Sequence, residues 1–159
     1  RDIQTRLENC YFPYHQALQN LIDQTMDRFG ACLIVDCHSM PSPSRASMKK
    51  HQAEIVLGDR WGAACDHQII QAAERAVLDL GYSVRCNTPY AGGYTTQHYG
   101  RPETGVQAIQ IEIDRSLYMD EQSISKRPNF EHLQQSMTHL GEALCRTASN
   151  LLTERLAAQ

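Results

Sequence analysis

The sequence feature that most constrains the fold is an unbroken apolar run, ACLIV, at residues 31–35. A strand with one wet face alternates apolar and polar residues, whereas a continuous apolar strand is covered on both faces. Further short strands are predicted at residues 54–59, 82–87 and 106–114. The first strand therefore predicts a sheet that has helices packed on either side.

Helical periodicity surrounds and separates these strands. Apolar residues recur at spacings of three and four over residues 2–28, 66–80 and 129–157. Pro13 interrupts the first pattern and predicts a kink or two helices, and Gly30 is expected to end it. The alternation of strands and helices predicts an α/β fold with three layers, α/β/α, around a mainly parallel or mixed sheet.

Composition limits the classes of function. The 159 residues suggest a single domain, and a net charge of −3 gives no indication of nucleic-acid or membrane-surface binding. No apolar run is long enough to cross a bilayer. We expect a cytoplasmic protein that acts on a small molecule, with its oligomeric state left open.

The six cysteines show no two-residue spacing of the kind found in zinc ribbons and redox motifs. Free cysteines usually pack as small apolar residues, so the pattern predicts reduced and mostly buried thiols. Cys65 follows a glycine-containing segment, and an alternative role lining a site stays open for it.

Polar residues follow the first apolar run, at Asp36, His38 and Ser39. Asp36 and His38 are two positions apart on a strand, so their side chains are expected on the same side. An imidazole at a strand end is a good zinc ligand, and a nearby acid can hold its second nitrogen. The same pattern also allows His38 to make only a hydrogen bond within a turn.

The strand at 106–114 alternates apolar and polar side chains. Its apolar residues are Ile109, Ile111 and Ile113, and its polar residues are Gln110, Glu112 and Asp114. Unpaired carboxylates are costly to bury, so this is either an edge strand with one wet face or the floor of a polar active site. In an active site Glu112 would be the general base toward a metal-bound water, and Arg115 would supply a cation for a carboxylate.

The segment 88–105 is a long, polar, glycine-rich stretch, and we predict an irregular loop. It carries Tyr94, Thr95 and Arg101, which would close over a small anionic ligand if the loop is a lid. A structural excursion whose tyrosines pack on the core is the alternative. His132 and His139, seven residues apart on the last helix, are predicted to be surface or packing residues.

Three segments together resemble the N-formylglutamate amidohydrolase (N-formylglutamate deformylase) family: DCHSMPS, LGDRWGAAC and NTPYAGGYTTQHYGRPETGVQAIQIEIDRSLYMDE. The resemblance extends from residues 11–15 to the start of the last helix. It implies a zinc-exopeptidase-like (phosphorylase/hydrolase-like) fold, similar to the zinc carboxypeptidases. It also implies hydrolysis of the amide of an N-formylated or N-acylated amino acid, with formate and glutamate as products in the name-giving case.

The resemblance also implies roles for individual residues. His38 matches one zinc ligand of that architecture, and Glu112 matches the glutamate that activates the water. Tyr94 is the best match to a mobile substrate-covering tyrosine, with Tyr90 and Tyr99 as alternatives. The remaining expected site residues are Thr95, Arg101 and Arg115 for substrate binding, and Asp36 and Ser39 as support around the ligand.

The chain departs from the family pattern upstream of His38. The fold normally takes two further zinc ligands and a substrate-gripping asparagine and arginine from that region. Residues 1–30 are predicted to be helical instead, and His15 lies on that helix. We therefore expect the C-terminal portion of a larger amidohydrolase domain, with one Zn²⁺ in the complete protein and little or none in this piece.

Two alternatives to this function stay open. One is a related hydrolase, either a zinc carboxypeptidase or an N-acyl amino acid deacylase. The other is a non-catalytic remnant that binds anions.

Overall fold

A four-stranded mixed sheet lies at the centre of the computed structural model, which describes residues 2–42 and 53–157. The strand order is β1-β4-β2-β3. β1 runs parallel to β4 and β2 runs parallel to β3, whereas β2 and β4 are antiparallel. The strands are β1 (Cys32–Met40), β2 (Ile55–Gly58), β3 (Val84–Cys86) and β4 (Val106–Asp114). All four match predicted strands, and the α/β class is confirmed.

The first helical region is nearly continuous. Helix α1 (Asp2–Arg6) passes through a π-helical turn at Leu7–Tyr11 into α2 (Phe12–Phe29). Pro13 lies in the first turn of α2, directly after the π-helical turn. Because proline has no N–H to donate to the preceding turn, the helical hydrogen-bond pattern is interrupted at this position, as predicted. Gly30 ends α2 as predicted, in a left-handed conformation with φ of 74°.

Helices cover both faces of the sheet. α3 (His67–Asp79) and α5 (Phe130–Ala157) pack against one face, where Leu57, Ile109 and Ile111 are buried. α2 lies on the other face, where Ile22 packs near Cys32. None of the described helices is long and apolar enough to cross a membrane.

Two strand predictions need correction. β1 does not end at residue 35, because it pairs with β4 along its whole length, from Cys32 opposite Val106 to Met40 opposite Asp114. The polar residues that were predicted to follow the strand therefore lie within it. β4 is not an edge strand, because it lies between β1 and β2.

The segment 88–105 is not an irregular loop. It contains the short helix α4 (Tyr94–Tyr99) and a 3₁₀ turn at Pro102–Thr104. Tyr99 packs with Ile22 and Cys32, as the packing alternative expected, whereas Tyr94 is half exposed. A small hairpin of β5 (Met119–Asp120) and β6 (Ser125–Lys126) was not predicted, because two-residue strands are too short to show a periodic pattern.

All six cysteines are free, but only Cys32 and Cys65 are fully buried. Cys10, Cys37 and Cys145 are exposed, so the prediction of mostly buried thiols was wrong. Cys65 belongs to the apolar core between the sheet, α3 and α5. Burial raises the pKa of its thiol to about 12, with the charges of Asp59 and Asp66 adding to the effect. Such a thiol stays protonated and does not suit a reactive site.

Candidate functional site

His38 and Glu112 meet on neighbouring strands, and we call them the His38–Glu112 pair. His38 on β1 is directly opposite Glu112 on β4, and two positions earlier Asp36 is opposite Gln110. Residues opposite each other point to the same side of a sheet, so all four side chains share one face. The Nδ1 atom of His38 lies 3.9 Å from Oε1 of Glu112, and its Nε2 atom lies 3.1 Å from Oδ1 of Asp36.

The carboxylate of Glu112 is buried and held by hydrogen bonds. Glu112 is 7% exposed, and its Oε1 atom accepts a hydrogen bond of 3.0 Å from Nε2 of Gln110. Oε1 of Gln110 in turn accepts a hydrogen bond of 2.6 Å from the backbone N–H of Gly93. This relay offsets part of the cost of burying a carboxylate.

Apolar side chains border the carboxylate. Val56 on β2 is opposite Glu112 and is fully buried, and it clusters with Met40 and Ala53. These residues remove water from one side of the carboxylate. The pair therefore combines a buried acid with a histidine whose side chain is 45% exposed.

The donor groups fit one ligand position of a metal site. The described ranges, 2–42 and 53–157, contain no group of three or more His, Cys, Asp or Glu side chains arranged to hold a metal ion. Asp36 engages Nε2 of His38, while Nδ1 is too far from Glu112 for a hydrogen bond and is left available to a further partner. A carboxylate that orients a histidine in this way is typical of histidine metal ligands.

Asp114 and Arg115 lie at the end of β4. Oδ1 of Asp114 accepts hydrogen bonds from the N–H and the hydroxyl of Ser116, both at 2.8 Å, which fixes the turn that carries Arg115. Nε of Arg115 donates to the Ser39 hydroxyl at 3.3 Å, and the guanidinium lies 3.8 Å from Glu121. Ser39, predicted as support around the ligand, therefore contacts Arg115.

Helix α4 carries Tyr94 and Thr95. The hydroxyls of Tyr94 and Tyr11 are 3.1 Å apart, and the Tyr94 ring stacks on His98 with the ring centres 4.9 Å apart. The hydrogen bond to Tyr11 raises the pKa of the Tyr94 hydroxyl above its usual range. Thr95 is partly buried on the same helix.

His15 has a structural partner that its helical position did not reveal. Its Nδ1 atom lies 2.6 Å from the hydroxyl of Tyr99, and its ring meets that of Tyr94 edge to face. The contact joins α2 to α4. The segment that carries Tyr94 is thus anchored at both ends, through Gly93 to β4 and through Tyr99 to α2.

Arg101 is not brought to the His38–Glu112 pair. It forms a bridge with Val106 at the start of β4, and its guanidinium donates to the carbonyl of His98 in its own segment. Glu112 lies six residues beyond Val106 along β4, which corresponds to about 20 Å of strand.

The turn that follows β2 contains residues in left-handed backbone conformations, and the sequence pattern predicted no role for them. Arg60 and Trp61 have positive φ angles of 58° and 55°, and Asn87 has one of 59°. Nδ2 of Asn87 donates to Asp59 at 2.7 Å, and its Oδ1 accepts from the N–H groups of Asp59 and Trp61. The guanidinium of Arg60 lies 3.5 Å from the carbonyl of Gly92, next to the Gly93–Gln110 contact.

Gln110 was also missed as a site residue. The strand pattern placed it on the same face as Glu112, which was the available signal. A glutamine on that face could equally have been exposed, and only the contact with Gly93 distinguishes the two cases. Cys37, between Asp36 and His38, points to the opposite face of β1, and desolvation with the charge of Asp36 raises the pKa of its thiol.

A sequence profile of the family described as N-formylglutamate amidohydrolase matches residues 1–119. Two curated relatives are N-formylglutamate deformylases. The one from Pseudomonas putida is 33% identical over 116 residues, which cover 72% of this chain and 43% of the relative. The one from Pseudomonas aeruginosa is 33% identical over 118 residues, which cover 74% and 44%. The matched part of the chain thus covers less than half the length of these relatives.

Solved structures give a consistent result. The crystal structure of N-formylglutamate amidohydrolase from Ralstonia eutropha JMP134 matches with a TM-score of 0.78 and 31% identity, covering 99% of this chain and 55% of that one. A protein from Agrobacterium tumefaciens matches with a TM-score of 0.63 and 20% identity, covering 89% and 53%. The second likeness concerns the fold alone.

Proposed function

We propose, on the premise that this chain belongs to the N-formylglutamate amidohydrolase family, that the protein containing it hydrolyses the formyl amide of N-formylglutamate. The single observation that carries the proposal is the His38–Glu112 pair, formed where two parallel strands lie side by side. Both residues fall within the part of the chain that matches the family.

Glu112 is proposed as the general base. In the reaction a water oxygen bonds to the formyl carbon, the carbon–nitrogen bond breaks, and the products are formate and glutamate. Glu112 would accept the proton of the attacking water and pass it to the leaving nitrogen. Its hydrogen bond from Gln110 engages Oε1 and supports a fixed carboxylate orientation.

Arg115 and Tyr94 are proposed to bind the substrate. Arg115 is partly exposed at the end of β4, and a carboxylate of the substrate would compete with Glu121 for its guanidinium. Tyr94 carries a half-exposed ring on α4, and Thr95 lies beside it. A shift of α4 would exchange the contact between Tyr94 and Tyr11 for one with the substrate.

Zinc is proposed as the cofactor, with His38 as one ligand and Asp36 holding its ring. The remaining ligands would come from outside the described residues. When bound there, the ion would supply a Lewis acid for the formyl carbonyl. We expect the 159-residue chain alone to bind zinc weakly or not at all, because the part of it that the structure describes groups no three side chains that could hold a metal ion. Stoichiometric zinc in this chain, measured by elemental analysis, would contradict that expectation.

The test of function uses the full-length protein. Release of the free amino acid would be measured from N-formylglutamate and from a panel that varies one group at a time: N-acetylglutamate, N-formylglutamine and a peptide with a C-terminal glutamate. We expect N-formylglutamate to give the highest kcat/KM and a chelator to abolish turnover. Preference for the peptide would indicate a carboxypeptidase, and preference for the acetyl compound a deacylase. No turnover of any compound would favour an anion-binding protein.

A further inference from the structure

We propose that Gln110 is a positioning residue that couples the start of α4 to the carboxylate of Glu112. The inference rests on the proposed function, because it concerns the base of that reaction. Gln110 would set the orientation of Glu112 according to where the segment carrying Tyr94 and Thr95 lies. The side-chain amide of Gln110 connects the start of α4 directly to Glu112. Both hydrogen bonds that this connection needs are present in the structure.

The two hydrogen bonds fix the orientation of the Gln110 amide. The backbone N–H of Gly93 is a donor, so the oxygen of Gln110 must face it, at 2.6 Å. The nitrogen then faces Oε1 of Glu112, at 3.0 Å. Gln110 is 4% exposed, so water does not readily replace either partner.

Gly93 makes the contact close. A Cβ atom at this position would lie 3.2 Å from Oε1 of Gln110, which is tighter than ordinary van der Waals contact. Gly93 immediately precedes α4, so its N–H moves with the helix that begins at Tyr94. A displacement of α4 would therefore lengthen the bond to Gln110 and release its amide from Glu112.

Methionine and glutamate, which are close to glutamine in size, do not reproduce this arrangement. Methionine has a similar length, but it would leave the N–H of Gly93 and the carboxylate of Glu112 without their partners. Glutamate would still accept from Gly93, but it would face Glu112 with a second carboxylate and could not donate while ionised. Gln110→Met therefore removes both hydrogen bonds, whereas Gln110→Glu removes only the one to Glu112.

Gln107 provides a matched control on the same strand. It is 8% exposed, and its Oε1 accepts a backbone N–H, that of Asp66, at 2.7 Å. Its side chain points to the opposite face, toward α3. Gln107→Met removes a comparable buried hydrogen bond without touching the His38–Glu112 pair.

The experiment compares Gln110→Met, Gln110→Glu and Gln107→Met in the full-length protein. Steady-state kinetics with N-formylglutamate give kcat and KM, and hydrogen–deuterium exchange measures protection of the peptide containing residues 92–96. Thermal unfolding shows whether each variant is folded.

We expect both Gln110 variants to lower kcat by about 10- to 100-fold, because the base is misplaced. KM should change less, and Gln107→Met should keep the kcat of the unmodified protein. Exchange at residues 92–96 should accelerate in Gln110→Met, which loses the Gly93 bond, but not in Gln110→Glu, which keeps it.

Two results would overturn the inference. One is a kcat for Gln110→Met equal to that of Gln107→Met. The other is unchanged exchange at residues 92–96 in Gln110→Met, which would show that Gly93 does not depend on Gln110. If the unmodified protein releases no formate, the proposed function fails, and the exchange measurement still decides whether Gln110 holds the start of α4.

Discussion

The two faces of β4 differ in what they contribute. One face presents Ile109 and Ile111 to a core shared with α3 and α5, where apolar burial stabilises the fold at about 25 cal/mol per Å². The other face presents Gln110 and Glu112, whose burial costs free energy unless their polar atoms are paired. One strand therefore stabilises the protein with one face and holds the candidate site with the other. Mutations on the two faces should affect different properties.

Glu112→Gln should have the largest effect on the polar face. The amide cannot accept a proton from water, so we expect kcat to fall by about 10²- to 10⁴-fold in the full-length protein. Substrate binding, measured by calorimetry, and Tm should change little, because the side chain keeps its size. Retained turnover would remove Glu112 from the role of base.

Ile109→Ala tests the apolar face. Ile109 is completely buried, and its truncation should lower the free energy of unfolding by about 2–5 kcal/mol. Denaturant unfolding measures this loss, while kcat per folded molecule should stay near that of the unmodified protein. A fall in kcat without loss of stability would mean that the two faces are not separate in function.

Gly93→Ala should give a smaller effect on the polar face. The added methyl group must push Gln110 by a few tenths of an ångström, so we expect kcat to fall about two- to tenfold. Gly141→Ala is the matched control, since a Cβ atom there meets nothing within 4 Å and alanine favours the helix. Equal kcat values for the two variants would contradict a tight Gly93–Gln110 contact.

At alkaline pH the apolar core should respond through Cys65. The pKa of Cys65 is about 12 in the folded protein against 9.0 for an ordinary thiol, so the folded state favours the protonated form. Its contribution is complete below pH 9 and is lost as pH rises toward 12. Stability measured across this range should fall less steeply in Cys65→Ala than in the unmodified protein. Identical slopes would show that Cys65 is not responsible.

Much of the fold was accessible from the residue pattern. Apolar stripes at helical spacing predicted α2, α3 and α5, and short apolar or alternating segments predicted all four strands of the sheet. The incorrect predictions concern segments where the local residue pattern indicates one structure and tertiary contacts stabilise another. Polar residues of β1 indicated the end of a strand, but hydrogen bonds with β4 extend the strand through them. Glycines near α4 indicated a loop, but burial of Thr96 and Tyr99 makes a helix there.

The candidate site was predictable to a similar degree. Alternation along the strands placed Asp36 with His38 and Gln110 with Glu112, because side chains two apart share a face. The roles of Ser39 and Arg101 were harder to predict, because each depends on which segment lies beside it. In the structure these neighbours are Arg115 for Ser39 and His98 for Arg101.

The amino-acid pattern alone established the layered α/β class, the face of each strand and the candidacy of His38 and Glu112. Tertiary structure decided that β1 and β4 are neighbours, although two strands and two α-helices separate them along the chain. It also decided that Gln110 lies between Gly93 and Glu112. The reason is physical: periodicity reports local geometry, whereas strand pairing and close contacts depend on how all segments compete to bury apolar surface and satisfy polar groups.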